Sequence, residues 1–317
     1  MRVVVTGATS MIGVAIINEC IKQGDEVLAI VRENTTRINR IPSSDKINVV
    51  CADLSHLDRI DNSNIYGKYD VFYHIAWANT SKEGRLDPFA QMVNIQATLD
   101  AVSLAKKLGC KKFVGAGSQA EYGPCRGVID ADTPVFPQNA YGIAKLSANM
   151  LSRELCSQLD MVHIWGRIFS VYGTLDNDGT MINYAVDQLR KGYEAKFSAA
   201  TQMWNYLFEE DAGKMFYLLG RNINESGIFC IASDVSMPLR KYIELIWKSL
   251  DQNGVCVFSD KEQSANIYEL NVDVKKTTAA INYIPQTPFE KGIEKVIEYK
   301  KSKDKHNEKD QYTCTNI

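Results

Sequence analysis

The first 31 residues constrain the fold of this chain more than any other stretch. Residues 2–6 form a short apolar run rich in β-branched residues, with no polar residue between Val3 and Val5, which is typical of a strand buried on both faces of a parallel sheet. The glycine-containing turn 7–13 opens a helix whose apolar residues recur at helical spacing and which should end at Gly24. Residues 26–31 return as a second strand. The chain therefore begins with a β-α-β unit.

The turn between this strand and this helix suits an anionic ligand. Gly7 and Gly13 allow a tight backbone path, and the first amide groups of the helix point back into the turn. This arrangement predicts a cradle for a pyrophosphate. Its candidate contacts are Gly7, Thr9, Ser10, Met11, Ile12 and Gly13. The competing interpretation is an ordinary β-α-β turn without a ligand, and the strand and helix around it favour the cradle.

Strands and helices alternate along the first 170 residues. Further strands are predicted at 47–52, 71–76, 112–116 and 162–168, and helices at 88–108 and 141–159. This alternation predicts an α/β fold with a Rossmann-type, doubly wound parallel sheet. We expect residues 1–170 to form a dinucleotide-binding domain, with the sheet completed by about residues 205–232.

After residue 173 the alternation loosens into a smaller C-terminal α/β region, residues 171–301. Helices are predicted at 180–191, 211–219, 238–250, 274–281 and 289–301, and short strands at 206–208, 228–231 and 255–258. Open α/β sheets bind ligands beyond the carboxyl ends of their strands, so this region should cover the cofactor and hold the substrate. Residues 302–317 are polar and mixed in charge, and we expect them to be a disordered tail.

Composition excludes several classes of partner. The 317 residues are 45% apolar and 23% charged with a formal net charge of −2, so neither nucleic acid nor an anionic membrane is expected to bind. No signal region or long apolar span is evident. The eight cysteines are scattered, without a Cys-x-x-Cys pair, which favours reduced thiols, a cytoplasmic location and no metal site.

A tyrosine and a lysine stand at positions i and i+4 of one predicted helix, as Tyr141 and Lys145. An ammonium beside a phenol favours the phenolate and should lower the pKa of Tyr141. Such a tyrosine can exchange a proton with an oxygen while a nicotinamide exchanges a hydride. Ser118, at the end of the fifth strand, could hold the same oxygen. By itself this spacing is common on solvated helix faces.

Several further motifs stand in order along the chain. They are Gly7-x-x-Ser10-x-x-Gly13, Asp53-Leu54, His74-Ile75-Ala76, Asn94-Ile95-Gln96-Ala97-Thr98, Ser118-Gln119-Ala120-Glu121-Tyr122-Gly123, Pro137-Gln138-Asn139-Ala140-Tyr141 and Gly166-Arg167-Ile168-Phe169-Ser170-Val171-Tyr172-Gly173. In this order and spacing, over about residues 1–300, the chain resembles the extended short-chain dehydrogenase/reductase family of nucleotide-sugar epimerases, dehydratases and reductases.

This resemblance implies a nicotinamide dinucleotide cofactor. It places Asp53 and Leu54 at the adenine, Ala76 along the nicotinamide ribose and Asn94 on the following helix as a further cofactor contact. The catalytic residues it implies are Ser118, Tyr141 and Lys145, and the last two would also contact the cofactor. Family habit implies a homodimer formed through the helices near Asn94 and Tyr141.

Two departures from the family pattern concern the cofactor. Ser10 replaces the middle glycine of the turn, which leaves the tightness of that turn open. Val31 stands where NAD-dependent members carry an acid, and Arg32 follows it. An arginine there suits a 2′-phosphate, with Arg37 in support, so NADP(H) is favoured over NAD(H). Glu33 is the competing acid, and a shift of two residues would restore NAD.

Other departures concern the substrate. Gln119 and Ala120 occupy the places where sugar dehydratases carry an acid pair, and a cysteine needed for 3,5-epimerisation is also missing at Ala120. Glu121 stands where relatives usually have valine, and a structural role is favoured over a substrate contact. Trp204 replaces the arginine of an Arg-Asp pair near the substrate diphosphate, and it could stack on a base or simply pack. The candidate substrate contacts are Trp77, Ser118, Gln119, Glu121, Ser170 and Trp204.

The loops around Ser118 and Trp204 resemble those of the subgroup that reduces CDP- or dTDP-4-keto-6-deoxy sugars, such as CDP-abequose synthase-like enzymes. We therefore expect an NADPH-dependent 4-ketoreductase with a nucleotide-sugar substrate. A C4 epimerase that retains NAD is the first alternative. A cofactor-sensing protein without turnover is the second, and the intact Ser118, Tyr141 and Lys145 weigh against it.

Overall fold

A computed structural model describes residues 1–60, 65, 67–260 and 268–313. The strands of this part are β1 (Arg2–Thr6), β2 (Glu26–Val31), β3 (Ile47–Cys51), β4 (Val71–His74), β5 (Lys112–Ser118), β6 (Val128–Ile129), β7 (Val162–Ile168), β8 (Ser170–Tyr172), β9 (Glu194–Phe197), β10 (Met203–Trp204), β11 (Tyr206–Phe208), β12 (Gly227–Ile231), β13 (Met237–Pro238), β14 (Val255–Phe258) and β15 (Asn271–Val272). The helices are α1 (Met11–Lys22), α2 (Pro88–Lys107), α3 (Ala140–Gln158), α4 (Met181–Leu189), α5 (Glu209–Asn222), α6 (Leu239–Ser249), α7 (Lys275–Ile281) and α8 (Phe289–Thr313).

Seven of these strands form one parallel sheet in the order β3-β2-β1-β4-β5-β7-β12. Successive strand residues point to opposite faces. Val3 and Val5 therefore enter the core under α1 and α5, and Val4 enters the core under α2 and α3. The predicted doubly wound Rossmann-type sheet is confirmed. The order of strands reverses between β1 and β4, which is where sheets of this kind bind ligands.

The C-terminal part of the chain packs beside the carboxyl ends of these strands. Here β8 pairs with β11 and β9 with β14, both in parallel. Helices α4, α6 and α8 enclose a cluster of aromatic rings in which Tyr242 lies 4.7 Å and Tyr172 5.1 Å from Phe289, centre to centre. Because this cluster is separate from the two cores of the main sheet, the C-terminal part has its own apolar core.

The last helix differs from the prediction. We expected a helix to residue 301 and a disordered tail from residue 302, whereas α8 continues to Thr313. Residues 293–313 contain neither glycine nor proline and are rich in Lys, Glu and Asp, so nothing in this stretch terminates a helix. Residues 314–317, including Cys314, lie outside the described residues.

Two further observations concern the described part of the chain as a whole. No helix in it is both long enough and apolar enough to cross a membrane. Its seven cysteines are free thiols, and it contains no cluster of three or more His, Cys, Asp or Glu side chains that could hold a metal ion.

Candidate active site

The turn from β1 to α1 is tight despite the serine in it. Gly7 has a φ of +67°, and a Cβ there would come within 2.7 Å of the backbone nitrogen of Ala76. A Cβ on Gly13 would lie 2.3 Å from the carbonyl oxygen of Gly7. The backbone nitrogen of Ser10 donates to that same oxygen at 2.9 Å, and its Oγ accepts from the nitrogen of Gly13 at 3.1 Å. Ser10 thus caps α1 and keeps its hydroxyl proton available for a ligand oxygen.

This turn fits a dinucleotide pyrophosphate. The 12-residue α1 directs its N-terminal amides at the turn, and the two glycines keep side-chain atoms out of the approach. The other predicted contacts, Thr9, Met11 and Ile12, are half-buried at the same turn. Ala76, predicted along the nicotinamide ribose, lies directly against Gly7 because β1 and β4 are neighbours.

A cavity of about 860 Å³ opens beyond β2 and β3, and it brings Arg32, Glu33 and Asp53 together. The Asp53 carboxylate accepts hydrogen bonds from the Ser55 nitrogen at 2.8 Å and the Ser55 Oγ at 2.5 Å. These two bonds lower the pKa of Asp53. Leu54, predicted at the adenine, is half-buried and packs on the core below the sheet. Arg37 is exposed and does not line the cavity.

Asn94, predicted as a cofactor contact, holds the loop that follows β4, and its cofactor role stays a prediction. It is buried, and its Oδ1 accepts from the Ala78 nitrogen at 2.7 Å while its Nδ2 donates to the Ala78 oxygen at 3.1 Å. One turn earlier on α2, Gln91 accepts from the Trp77 indole nitrogen at 2.9 Å and donates to the oxygens of Asn79 and Gly84. Both amides therefore position the loop 77–87 that follows β4.

The predicted serine, tyrosine and lysine are brought together. Ser118 is the last residue of β5, and Tyr141 and Lys145 lie in the first turns of α3, which Asn139 caps. The Ser118 side chain lies close enough to the Tyr141 hydroxyl to lower its pKa. Lys145 is buried, and its Nζ donates to the oxygen of Ala116 in β5 at 2.7 Å. Strand β5 therefore positions both Ser118, which it contains, and Lys145, which bonds to its backbone.

The electrostatics of this group differ from the prediction. Burial lowers the pKa of Lys145 to about 7, with a smaller contribution from Arg85, and Glu121 opposes the change. Burial also raises the pKa of Tyr141. The opposing influences on Tyr141 are the Ser118 side chain and the charge of Arg85, not Lys145 as we expected. The Lys145 ammonium lies 5.9 Å from the Tyr141 ring centre and 3.6 Å from that of Trp77.

Trp77, a predicted substrate contact, forms one wall of the site. Its ring lies beneath the Lys145 ammonium and meets the Tyr141 ring edge-on at 6.0 Å between centres. The hydrogen bond from its indole nitrogen to Gln91 fixes the ring plane. Trp77 is half-buried, so part of it remains available to a ligand.

Glu121 is structural, as the sequence favoured, and this removes it from the candidate substrate contacts. Its side chain is fully buried. One carboxylate oxygen accepts from the Ser118 backbone nitrogen at 2.8 Å and the Trp165 indole at 2.9 Å, and the other from Arg167 Nε at 2.9 Å and Asn149 Nδ2 at 3.4 Å. With four donors around it, the carboxylate has no free face for a substrate.

The remaining predicted substrate residues separate into two groups. Gln119 is half-buried next to Ser118, and its amide oxygen is buried without a partner among the described residues. Ser170 is half-buried in β8, where it pairs with Tyr206. Trp204, in contrast, packs against two apolar clusters, which supports packing over base stacking.

Asn205, next to Trp204, is also accounted for by the fold. It is fully buried, and its amide nitrogen donates to the oxygens of Ser233 and Val235 and to the hydroxyl of Ser236, while its amide oxygen accepts from the Ser233 nitrogen. These bonds hold the turn at 233–236. Neither residue of the Trp-Asn pair is therefore placed as a phosphate ligand.

Two features of the site were missed in the sequence. Arg85 lies over the Tyr141 ring, with its Cζ 4.8 Å from the ring centre. A second cavity, of about 630 Å³, opens in the C-terminal part between α4, β9 and α6, and its lining includes Thr180, Tyr184, Lys196 and Phe197. Neither feature belongs to a periodic pattern or a motif, so local sequence gave no signal for either.

A pyrophosphate-type turn at the switch point of a doubly wound sheet, with serine, tyrosine and lysine at the adjoining strand end, defines a nicotinamide-dependent dehydrogenase class. The chain belongs to the NAD dependent epimerase/dehydratase family, whose model matches residues 3–232. This is an enzyme family of nucleotide-sugar epimerases, dehydratases and reductases.

Similar proteins carry different activities. The chain is 24% identical to dTDP-6-deoxy-L-talose 4-dehydrogenase (NAD(+)) of Aggregatibacter actinomycetemcomitans, over 77% of this chain and 88% of that protein. It is 23% identical to UDP-glucose 4-epimerase of Mycolicibacterium smegmatis, over 96% and 99%. Among solved structures, the UDP-N-acetylglucosamine 4-epimerase of Methanobrevibacter ruminantium superposes with a TM-score of 0.84 at 19% identity, covering 95% and 98% of the two chains. These likenesses leave the specific activity open.

Proposed function

We propose that this protein is an NADPH-dependent reductase of the 4-keto group of a nucleotide-linked 4-keto-6-deoxy sugar. The observation that carries the proposal is the meeting of Ser118, Tyr141 and Lys145 beside the β1–α1 turn. A nicotinamide dinucleotide bound at that turn supplies or accepts the hydride. The chain's own residues must then hold the substrate oxygen and move a proton to it.

Tyr141 is the proposed proton donor. The Ser118 and Tyr141 side chains lie close together, so a carbonyl oxygen that approaches them meets two hydroxyl groups. As the carbonyl carbon gains a hydride, the Tyr141 hydroxyl gives its proton to the oxygen, and the ketone becomes a secondary alcohol. Lys145 donates to the oxygen of Ala116 and lies over the Trp77 ring. It is the proposed ligand of the cofactor ribose.

The absence of an acid pair after Ser118 supports reduction over dehydration. Gln119 offers an amide oxygen without a partner, which suits a substrate hydroxyl, and Ala120 offers no proton-transfer group. Glu121 is held by four donors and is unavailable as an acid or base for a substrate. A separate dehydratase would therefore have to supply the keto sugar.

A C4 epimerase is the second candidate, because the Mycolicibacterium smegmatis relative matched over almost the whole chain is named UDP-glucose 4-epimerase. An epimerase returns the hydride that it removes and keeps its cofactor, whereas a reductase consumes one NADPH for each sugar. Inspection of the purified protein for bound nucleotide is a first discriminator, since tightly retained NAD favours the epimerase.

The deciding experiment follows the hydride. The protein is incubated with NADPH deuterated on the transferred face and with CDP-, dTDP-, UDP- and GDP-4-keto-6-deoxy sugars. We expect stoichiometric loss of NADPH and deuterium at C4 of one product, without interconversion of UDP-glucose and UDP-galactose. Unlabelled product, or epimerisation without added cofactor, would replace the reductase with the epimerase.

Arg32 is the proposed ligand of the NADPH 2′-phosphate. A charge-assisted hydrogen bond contributes about 1.5–3 kcal/mol, so Arg32→Ala should weaken NADPH binding roughly 10- to 150-fold. NADH, which lacks that phosphate, should bind almost unchanged. Titration of both cofactors measures the difference, and Arg37→Ala, outside the cavity, provides a comparison. Equal losses for both cofactors would show that Arg32 does not read the phosphate, and Glu33 would then be tested as an NAD ligand.

The nucleotide part of the substrate is proposed to occupy the cavity between α4, β9 and α6. Its volume of about 630 Å³ lies in the range of small-molecule sites. Tyr184 and Phe197 meet there edge-on at 5.8 Å and offer aromatic surface for a base. Lys196, in the same lining, is ion-paired with Glu194 at 3.2 Å and would exchange this partner for the diphosphate.

A homodimer through α2 and α3 remains a prediction. These two helices pack on each other and expose large apolar side chains, including Phe89, which is 81% exposed, and Met92, Ile143 and Met150. Several large exposed apolar side chains on two packed helices support a protein interface there. Phe89→Glu should convert a dimer into a monomer in light scattering, and Ile284→Glu, exposed elsewhere, should not. A monomeric parent protein would contradict the prediction.

A further inference from the structure

Arg85 is tied to the first turn of α3 at two points. Its carbonyl oxygen accepts from the Tyr141 backbone nitrogen at 3.1 Å. Its guanidinium lies over the Tyr141 ring, with Cζ 4.8 Å from the ring centre. The loop that carries Arg85 is itself held to α2 by Gln91 and Asn94. The stacked position is therefore built into the fold.

The charge of Arg85 is directed at the tyrosine. No ion pair joins it to a carboxylate in the described part of the chain, and a planar guanidinium stacks well on an aromatic face. Lys145, the cation expected to act on Tyr141, lies over the Trp77 ring at 3.6 Å and donates to the oxygen of Ala116. Since burial lowers the Lys145 pKa to about 7, the ammonium is only partly populated at neutral pH. A guanidinium keeps its charge over that range.

We propose that Arg85 is a positioning residue for Tyr141, which fixes the plane of the ring and stabilises the phenolate left when the hydroxyl gives up its proton. The proposal takes from the proposed function only the role of Tyr141 as proton donor. It names a residue outside the Ser-Tyr-Lys group as a second cation beside Tyr141, in addition to Lys145.

Of the other groups around Tyr141, some lower its pKa and others raise it. Ser118, the last residue of β5, lowers the Tyr141 pKa through its side chain, as Arg85 does through its charge. The negative charge of Glu121 raises the Tyr141 pKa. Glu121 is itself ion-paired with Arg167. On α3, Lys145 faces Trp77, and the buried His74 behind it stays neutral because burial lowers its pKa to about 3. Removal of Arg85 therefore shifts the balance towards the protonated phenol.

The test measures this shift without relying on turnover. 3-Fluorotyrosine is placed at position 141 alone, because fluorine acidifies the phenol and brings its titration into a range where the protein stays folded. The ¹⁹F shift is then followed against pH in the parent, Arg85→Gln, Arg85→Lys and Lys82→Gln. An exposed cation–π contact implies a rise in the midpoint of roughly half a pH unit for Arg85→Gln. We expect a smaller rise for Arg85→Lys and none for Lys82→Gln.

Two further readouts separate this role from others. High salt should shrink the difference between parent and Arg85→Gln, because Arg85 is exposed. With NADP⁺ and the reduced sugar, the rising limb of the pH–rate profile should move to higher pH in Arg85→Gln, with KM little changed. An unchanged ¹⁹F midpoint, or an equal shift in Lys82→Gln, would overturn the inference. A raised KM with an unchanged midpoint would overturn it too and make Arg85 a ligand for a substrate anion.

The outcomes for Arg85 and for the proposed function are distinguishable. The ¹⁹F titration reports only on the Arg85–Tyr141 contact and needs no substrate. If the deuterium experiment fails while the titration shifts, the reductase assignment fails and Arg85 still acts on Tyr141. If the label reaches C4 and the titration does not shift, the reductase stands and this inference fails.

Discussion

Tyr141→Phe should slow reduction of the 4-keto sugar by roughly 100- to 10,000-fold, the usual range for loss of a general acid. The substitution removes only the hydroxyl, which lies near Ser118, and the ring keeps its contacts with Trp77 and Arg85. The oxygen that gains negative charge would then have no proton donor at that point. NADPH affinity should change little, because the hydroxyl is proposed to face the substrate.

Single-turnover kinetics with saturating NADPH measure this loss directly. Tyr193→Phe, at an exposed tyrosine outside the site, is the matched control and should keep full activity. A Tyr141→Phe rate within threefold of the parent would remove Tyr141 from the mechanism. A loss of NADPH binding equal to the loss of rate would instead give the hydroxyl a role in holding the cofactor.

The second large effect concerns stability. Glu121→Gln should lower the free energy of unfolding by about 3–5 kcal/mol, because it leaves the buried Arg167 charge without its partner. The amide can still accept from Ser118 and Trp165, but its nitrogen would meet the donor Nε of Arg167. The loss should therefore come mainly from the arginine.

Urea unfolding of the variants tests this account. Glu121→Gln with Arg167→Met removes both charges and keeps an acceptor for Ser118 and Trp165, so it should recover much of the lost stability. If the free energy of unfolding of Glu121→Gln lies within about 1 kcal/mol of the parent value, the substitution does not leave a buried, uncompensated charge on Arg167. A double variant no more stable than the single would place the loss in packing or in the Ser118 turn.

Much of the site was predictable because its signals are local. The β1–α1 turn follows from glycines next to a buried strand, and the structure shows the steric reasons for Gly7 and Gly13. The meeting of Ser118 with Tyr141 and Lys145 follows from a parallel sheet, in which strand ends and the following helix share one edge. The structural role favoured for Glu121 also agrees with its burial.

Other roles required contacts between distant parts of the chain. Asn94 matches a family motif, but only the packed loop shows that its amide is used by Ala78. Arg85 lies in a loop without a pattern, and its stacking depends on how α2 and α3 hold that loop over Tyr141. The sequence allowed Trp204 to stack on a base, and only the structure shows that its side chain packs against two apolar clusters.

The sequence by itself determined the parallel sheet, the pyrophosphate-type turn and the identity of the three catalytic candidates, because hydrophobic period, glycine geometry and helical spacing act between near neighbours. The tertiary structure decided which charges act within the site. Lys145 is buried against Trp77 and Ala116, which lowers its own pKa, and Arg85 takes a stacked position over the Tyr141 ring. Desolvation and through-space charge depend on the packed surroundings of a group, and residue spacing along the chain does not contain them.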